Sequence, residues 1–216
     1  MTAELTSLGF KKNLFTEAIV ATYNFDGSAN AAPMGLKLLD NQHLSMSIFN
    51  TASTCRNLKT KKAASVNLTH DIDVFYKTTF KEANPHGTVP TEWFENCETV
   101  EAPKLRSADA VVEVSVVDVI SNAEKTAFSC KIQRLFAEKK LPQVYCRAMP
   151  LTLEAITHAT RVRAFVNEPQ KQEELARLLK TIEDCVALVD RIAPNSQYSS
   201  ILADLLRRIR SWGVKL

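Results

Sequence analysis

Three runs between residues 30 and 71 decide the fold of this chain: NAAPMG (residues 30–35), SIFNTASTCRNL (47–58) and SVNLTHD (65–71). Each run is strand-like, and each carries small or hydroxylated residues among its apolar ones. The middle run ends in a cluster of Ser, Thr, Asn and Arg that is typical of a helix start. Together the runs predict a socket that holds a phosphate group beside a flat ring.

Period-2 alternation around the first run predicts an antiparallel meander. A strand over residues 17–25 would turn at Asp26-Gly27, because glycine accepts a positive φ at no steric cost. The chain would return over about residues 28–39 and form a third strand over residues 43–49.

The period changes at residues 53–61, where Ser53 or Thr54 would cap a short helix. Residues 63–68, 111–120 and 128–136 return to β patterns. Residues 84–106 contain three prolines and Gly87, which predicts a long, partly ordered excursion of the kind that often forms a functional lid.

The last third of the chain is predicted to be helical. One helix spans residues 151–165, and apolar residues with a 3.6-residue period over 175–189 and 201–209 predict a pair of antiparallel helices. Their apolar faces must pack on the first part of the chain, on a partner subunit, or on both. We therefore expect an α+β fold with domains at residues 1–148 and 149–216.

Composition excludes several classes. The 216 residues are 45% hydrophobic and 24% charged, as in a globular protein, and a net charge of +3 is too small to indicate nucleic-acid binding. No apolar run reaches about 18 residues, so we expect no membrane span. The start lacks the features of a secretion signal, and the five cysteines form no C-x-x-C pair, so we expect a cytoplasmic protein with reduced thiols.

The helix start is the predicted phosphate site. The hydroxyls of Ser53 and Thr54, the free N–H groups of the first turn and the amide of Asn57 would converge on an anion. No acidic residue occurs between residues 51 and 69, which favours an anion there. An ordinary capped helix with a solvated basic face is the alternative.

The ring would lie beside Pro33, Met34 and Gly35, where small residues expose backbone groups. Pro33 indicates an edge or a bulge, because proline cannot donate to a ladder. A bulge without a ligand is the alternative, and Asn67 could bind the ligand or its own neighbours. A single phosphate cluster beside a planar site favours flavin mononucleotide (FMN).

Other chemistry is poorly supported. The four histidines have no metal-ligand spacing, and no catalytic triad or nucleotide-binding glycine motif is present, so we expect no metal and assign no catalytic residue. His158 and Arg161 would share a helix face and reach a pocket, a surface or an interface. Cys55 fits a buried, unreactive thiol better than a reactive one.

In this order the three runs resemble the archaeal-type DUF447 proteins of the FMN-binding split-barrel, flavin-reductase-like superfamily. The resemblance is clear over residues 17–80 and looser through the C-terminal helices. It implies a six-stranded antiparallel split β-barrel with a C-terminal helical hairpin subdomain, which forms a homodimer with FMN near the interface. Carried over by residue, Ser53, Thr54 and Asn57 would bind the phosphate. Asn50 and the backbone of Pro33, Met34 and Gly35 would lie along the ring, and Asn67 would support the site.

Three hypotheses stay open. The first is an FMN-dependent oxidoreductase that acts on a small molecule or NAD(P)H, with a loose link to C1 or pterin metabolism. The second is a non-catalytic FMN-binding or sensing module that docks a partner through its helical hairpin. The third is an interaction protein whose basic cluster, with Arg207, Arg208 and Arg210, contacts an acidic partner. The electron donor, the acceptor and the substrate are not determined by the sequence.

Overall fold

The computed structural model of the protein describes residues 2–12, 14–137 and 146–214. These residues form two compact units. The barrel unit contains the described residues up to Thr69 and from Lys81 to Ala137, and the helical unit contains His70–Phe80 and the described residues from Cys146 onward. The division into domains 1–148 and 149–216 stays a prediction, and residues 70–80 group with the later helices.

Strands and helices follow one another in a mixed order. The strands are β1 (Phe15–Tyr23), β2 (Ala29–Asp40), β3 (His43–Phe49), β4 (Ala63–Leu68), β5 (Phe94–Asn96), β6 (Pro103–Leu105), β7 (Ala110–Ser121) and β8 (Lys125–Ala137). The helices are α1 (Thr2–Ser7), α2 (Ser53–Lys61), α3 (Ile72–Thr79), α4 (Ala148–Phe165), α5 (Gln172–Ile192) and α6 (Gln197–Ser211). Short 3-10 turns lie at Lys81–Ala83, Thr91–Trp93 and Pro169–Lys171.

Six strands close into an antiparallel barrel in the order β1-β2-β3-β8-β7-β4, with β4 paired to β1. The barrel is split between β2 and β3, because their pairing begins only at Leu36 opposite Met46. Residues 29–35 of β2 therefore pair with β1 on one side and with no described strand on the other. We call these residues the open edge of β2. The topology confirms the six-stranded antiparallel split barrel that the resemblance implies.

The barrel core follows from the period of the strands. Alternate side chains point inward, and α2 adds the side chains of Cys55 and Leu58 to the same cluster. Burial of each large apolar side chain contributes about 1.5–3 kcal/mol to stability. The fully buried members include Val20, Leu36, Leu44, Val66, Val112, Val114, Phe128 and Cys130.

The β1–β2 hairpin turns where the sequence predicts it. Asn24 N–H donates to Ser28 O at 2.8 Å, and Gly27 N–H donates to Asn24 O at 3.1 Å. Gly27 has a φ of +83°, which explains the glycine at this position. Phe25 is 94% exposed at the tip of the turn.

The excursion at residues 84–106 is more regular than expected, because its hairpin of β5 and β6 is hydrogen-bonded to the barrel wall. Ser65 Oγ donates to Pro103 O at 2.5 Å, and Leu105 N–H donates to Asn67 Oδ1 at 2.8 Å. The buried carboxylate of Glu113 accepts hydrogen bonds from the backbone N–H groups of residues 98 and 99 and from the Thr99 hydroxyl. Polar side chains of β4 and β7 thus order this segment.

The helical unit contains α3 together with α4, α5 and α6, and the C-terminal helices confirm the predicted hairpin subdomain. The sequence analysis missed α3, where the Asp71 side chain accepts hydrogen bonds from Asp73 N–H and Val74 N–H as an N-cap. The Tyr76 hydroxyl of α3 donates to Asp204 of α6, and Arg208 Nε donates to the Tyr76 hydroxyl at 2.6 Å. These partly buried hydrogen bonds connect α3 to α6. No described helix is long and apolar enough to span a membrane.

Candidate functional site

Helix α2 begins without a side-chain cap. The N-cap residue is Ala52, whose φ of −71° and ψ of 140° are extended, so the prediction that Ser53 or Thr54 is the cap was wrong. Both residues lie inside the first turn, and their backbone N–H groups have no hydrogen-bond acceptor among the described residues. The first turn also contains no acidic residue. The positive end of the helix dipole is therefore available to an anion.

A guanidinium group lies beside this helix start. Arg56 Nη2 donates to Ser53 Oγ at 3.1 Å, which folds the exposed arginine back along the first turn. The arginine thus adds positive charge at the same end of the helix as the free N–H groups.

Thr54 points away from Ser53, into a buried polar network. Asn30 Nδ2 donates to Thr54 Oγ1 at 3.1 Å and to Thr22 Oγ1 at 3.3 Å. Asn57 Nδ2 donates to Thr22 Oγ1 at 3.0 Å and to Asn24 Oδ1 at 2.9 Å. The network joins the first turn of α2 to the start of the open edge of β2.

Lys81 also belongs to this network, and no sequence pattern predicts it as a site residue. Lys81 Nζ donates to Asn30 Oδ1, and burial lowers the pKa of the lysine. The two residues are 51 positions apart. No local sequence pattern can therefore predict their contact. The sequence feature next to this lysine is the change from apolar Phe80 to basic Lys81.

The open edge of β2 carries the predicted ring contacts. Pro33, Met34 and Gly35 lie opposite Ile19, Ala18 and Glu17 of β1, and their other side faces no described strand. This position agrees with the expectation of an edge at Pro33. A Cβ at residue 35 would lie 3.3 Å from Glu17 Oε1, so a larger residue there would require the Glu17 side chain to shift. Backbone groups along this edge are available to a planar ligand.

An open cavity of about 500 Å³ lies on the outer face of α2, against the β1–β2 hairpin. It brings together Ser53 and Asn57 of the predicted phosphate residues, with Arg56 beside them. Asp26 is on its rim, where hydrogen bonds from the Ser28 side chain and backbone lower the pKa of its carboxyl group. The other lining residues are Tyr23, Asn24, Phe25, Thr60 and Lys61.

Asn50 and Asn67 already have protein partners. Asn50 Nδ2 donates to Asn122 O at 2.9 Å, and Thr126 Oγ1 donates to Asn50 Oδ1 at 2.6 Å, so Asn50 holds the β7–β8 turn. Asn67 is fully buried, and its amide bonds to Ile19 O at 3.0 Å, to Ser65 Oγ at 2.8 Å and to Leu105 N–H. Contact of either side chain with a ligand stays a prediction.

The remaining candidates lie elsewhere. His158 Nε2 pairs with Glu154 at 3.0 Å, while its buried Nδ1 has no hydrogen-bond partner within the described chain. Cys55 is 1% exposed in the barrel core, as expected of an unreactive thiol. The described residues contain no group of three or more His, Cys, Asp or Glu that could hold a metal ion.

Comparison with solved structures identifies similar folds. An FMN-bound protein from Methanosarcina mazei, assigned to DUF447, is 21% identical, with 95% of this chain and 99% of that chain covered and a TM-score of 0.76. Nitrilotriacetate monooxygenase component B from Bacillus cereus is 16% identical over 70% of this chain and 85% of its own, with a TM-score of 0.49. The 2-nitrobenzoate 2-nitroreductase of Pseudomonas fluorescens is 14% identical over 63% and 71%, with a TM-score of 0.48. The first of these likenesses supports the split-barrel fold.

Sequence comparison adds the family. No functionally curated protein is similar in sequence to this chain. Residues 16–138 match the family model described as "Protein of unknown function (DUF447) N-terminal domain". This match includes all six barrel strands except the first residue of β1, together with the β5–β6 hairpin. The chain therefore belongs to the DUF447 family.

Proposed function

We propose that this chain binds FMN and acts as a flavin-dependent oxidoreductase of the flavin-reductase-like type. The observation that carries the proposal is that a helix start and a strand edge, both with unpaired backbone groups among the described residues, are joined by a hydrogen bond. The uncapped, acid-free start of α2 and the open edge of β2 are joined by the hydrogen bond from Asn30 to Thr54. A member of the same family with a similar fold is FMN-bound, which supports the same ligand here.

The donor set fits the phosphate of FMN. The free N–H groups of Ser53 and Thr54 are neutral donors that a phosphate dianion accepts well, and Arg56 adds a charge beside them. The ring would lie along the backbone of Pro33, Met34 and Gly35. When bound, the flavin supplies the electron-transfer chemistry, while the chain's own residues bind and orient it.

The electron donor and the substrate would have to be compounds that can reach the flavin at the open edge of β2. We propose that a small-molecule substrate or NAD(P)H approaches the flavin there. A C1-linked or pterin substrate is one class to test. Turnover of such a compound by the loaded protein would distinguish an enzyme from a non-catalytic FMN-binding module.

The first experiment is a visible absorption spectrum of freshly purified protein, followed by titration of the apoprotein with FMN. We expect flavin absorption bands or saturable FMN binding. A colourless protein that shows no saturable binding would contradict the proposed function. A protein that binds FMN but does not oxidise NAD(P)H or reduce a bound acceptor would favour the sensing module.

A further inference from the structure

Lys81 lies in an unusual electrostatic environment. It begins the short turn Lys81–Ala83 of the barrel unit, and its side chain is partly buried. The ammonium group donates to the neutral amide oxygen of Asn30, and no carboxylate pairs with it among the residues that the structure describes. Partial burial of a charge without an opposite charge is unfavourable. Such a lysine is expected to have an anionic partner that is not a protein side chain.

The other cations near α2 are placed differently. Lys61 is paired with Glu101 at 3.0 Å, and Lys59 is exposed on the helix surface. Arg56 is also exposed and is held by a hydroxyl group. Lys81 alone among these four cations combines partial burial with the lack of a described carboxylate partner.

The position of Lys81 is fixed by the planar amide of Asn30. The oxygen of this amide accepts from Lys81, and its nitrogen donates to Thr54 in the first turn of α2 at 3.1 Å. The ammonium group is therefore one amide group away from the buried Thr54 hydroxyl, in the residue that also carries one of the free N–H groups at the helix start. Asn30 is also a residue of the open edge of β2, so Lys81 is bonded to the residue at which the helix start and this edge are joined.

We propose that Lys81, in addition to the exposed Arg56, is a cationic contact of the FMN phosphate and contributes to a preference of the site for FMN over riboflavin. This inference rests on the proposed function. In it, Asn30 is a positioning residue that holds the ammonium group toward the first turn of α2. The phosphate supplies the negative charge that the described protein residues do not.

The test compares FMN with riboflavin, which lacks the phosphate, in equilibrium titrations of the apoprotein. Lys81→Met should weaken FMN binding by about tenfold or more, the scale of a lost hydrogen bond to a charged group, and leave riboflavin affinity within about twofold. Lys81→Arg should retain most of the preference for FMN. Lys59→Met is the matched control, because it removes an exposed lysine of α2, and it should change neither affinity.

A second variant covers the case in which Lys81→Met does not fold. Asn30→Asp places a carboxylate against Lys81 and neutralises it, while the hydroxyls of Thr22 and Thr54 can donate to the new oxygen. It should lower FMN affinity and spare riboflavin. Equal losses for both ligands, or no loss for either, in folded variants would overturn the role of Lys81. A wild-type protein that binds neither ligand would instead overturn the proposed function.

Discussion

Asn30, Asn57 and Asn67 are buried amides with different roles. Asn67 uses both ends of its amide to connect β1, β4 and the excursion. Asn57 connects α2 to Thr22 and Asn24 of the β1–β2 hairpin. Asn30 connects α2 to a partly buried lysine that has no carboxylate partner among the described residues. Residue type alone therefore does not separate a structural amide from one beside an anion site.

The first prediction concerns the two hydroxyls at the start of α2. Replacement of Ser53 and Thr54 together by Ala should weaken FMN binding by about 1–3 kcal/mol, because hydrogen bonds to a charged phosphate are lost. Isothermal titration of the apoprotein with FMN measures this change. Thr60→Ala is the control, because Thr60 lines the same cavity near the other end of α2 and its hydroxyl bonds to Arg56 O. Unchanged FMN affinity in the folded double variant would refute the phosphate assignment.

At the scale of elements, the β5–β6 hairpin depends on one carboxylate of β7. Burial alone would raise the pKa of Glu113, but hydrogen bonds from the Thr99 hydroxyl and from the N–H groups of Glu98 and Thr99 lower it. Glu113→Gln places an NH2 group against these donors and should destabilise the fold by about 1–3 kcal/mol. Amide hydrogen exchange should show the largest loss of protection at residues 94–105.

Glu95→Gln is the matched control for Glu113. Glu95 lies on the same hairpin and pairs with Arg106 at 2.9 Å and with Lys104 at 3.5 Å, but it is exposed. Loss of exposed ion pairs should cost less than about 1 kcal/mol. If Glu113→Gln and Glu95→Gln changed exchange at the hairpin equally, the buried carboxylate would not be what orders this segment.

The hydrogen bonds between α3 and α6 predict that the helical unit loses stability at both low and high pH. Burial and the hydrogen bond to Asp204 raise the pKa of Tyr76 above its ordinary value. Burial alone would raise the pKa of Asp204, but hydrogen bonds from Tyr76, Arg207 and Arg208 lower it to about 2. A lowered acid pKa gives stability that is lost as pH falls below the unfolded value of about 4. A raised tyrosine pKa gives stability that is lost as pH rises above the unfolded value of about 10.

Thermal melting across pH tests this prediction. Tyr76→Phe should reduce the loss of melting temperature above about pH 10, since the only change is removal of the ionisable hydroxyl. Asp204→Asn should reduce the loss below about pH 4 in the same way. Both variants should melt lower than the wild type at neutral pH. Tyr76→Phe removes the hydrogen bond between α3 and α6, and Asp204→Asn replaces one of the carboxylate oxygens that accept from Tyr76, Arg207 and Arg208 with an NH2 group. A Tyr76→Phe variant with an unchanged alkaline limb would contradict the assignment.

The elements that the sequence predicted well are those set by local patterns. The bounds of α2 follow from the change of period at Ser53 and the lysines at its end, and the β1–β2 turn follows from Asp26-Gly27. Helix α3 was missed because Asp71, its N-cap, follows the end of β4 at Leu68 closely. The uncapped start at Ala52 and the contact of Lys81 with Asn30 depend on tertiary packing, which no local pattern encodes.

At the scale of the whole molecule, all the predicted site residues and Lys81 belong to the barrel unit. The family match ends at residue 138, so it covers the barrel and not the C-terminal helices. FMN binding is therefore expected to depend on the barrel unit. The outer surface of that unit also carries exposed apolar side chains, which bear on the assembly of two copies.

The outer face of β3, β7 and β8 is apolar at one end. Phe49 is 51% exposed and Ile120 is 67% exposed. Ala127 of β8 pairs with Ile120 of β7 and with Ser47 of β3. Because Phe49 is two residues after Ser47 on the same strand, the side chains of Phe49 and Ile120 lie on one face of the sheet. Lys125 lies 4.3 Å from the centre of the Phe49 ring. Exposed aromatic and branched apolar side chains that share one sheet face favour association. We propose that two copies of the chain form a homodimer through this outer face.

The last prediction tests the homodimer directly. Light scattering after gel filtration should give twice the mass of the chain, and the double variant Phe49→Glu/Ile120→Glu should give the mass of one, because four carboxylates would meet in a two-fold interface. Phe25→Glu is the matched control, since Phe25 is more exposed but lies at the tip of the β1–β2 turn, and it should leave the dimer intact. A folded double variant that remains dimeric would place the interface elsewhere on the chain. A wild-type protein with the mass of one chain would contradict the proposed homodimer. An FMN site in the barrel unit would then have to bind the flavin without a second copy.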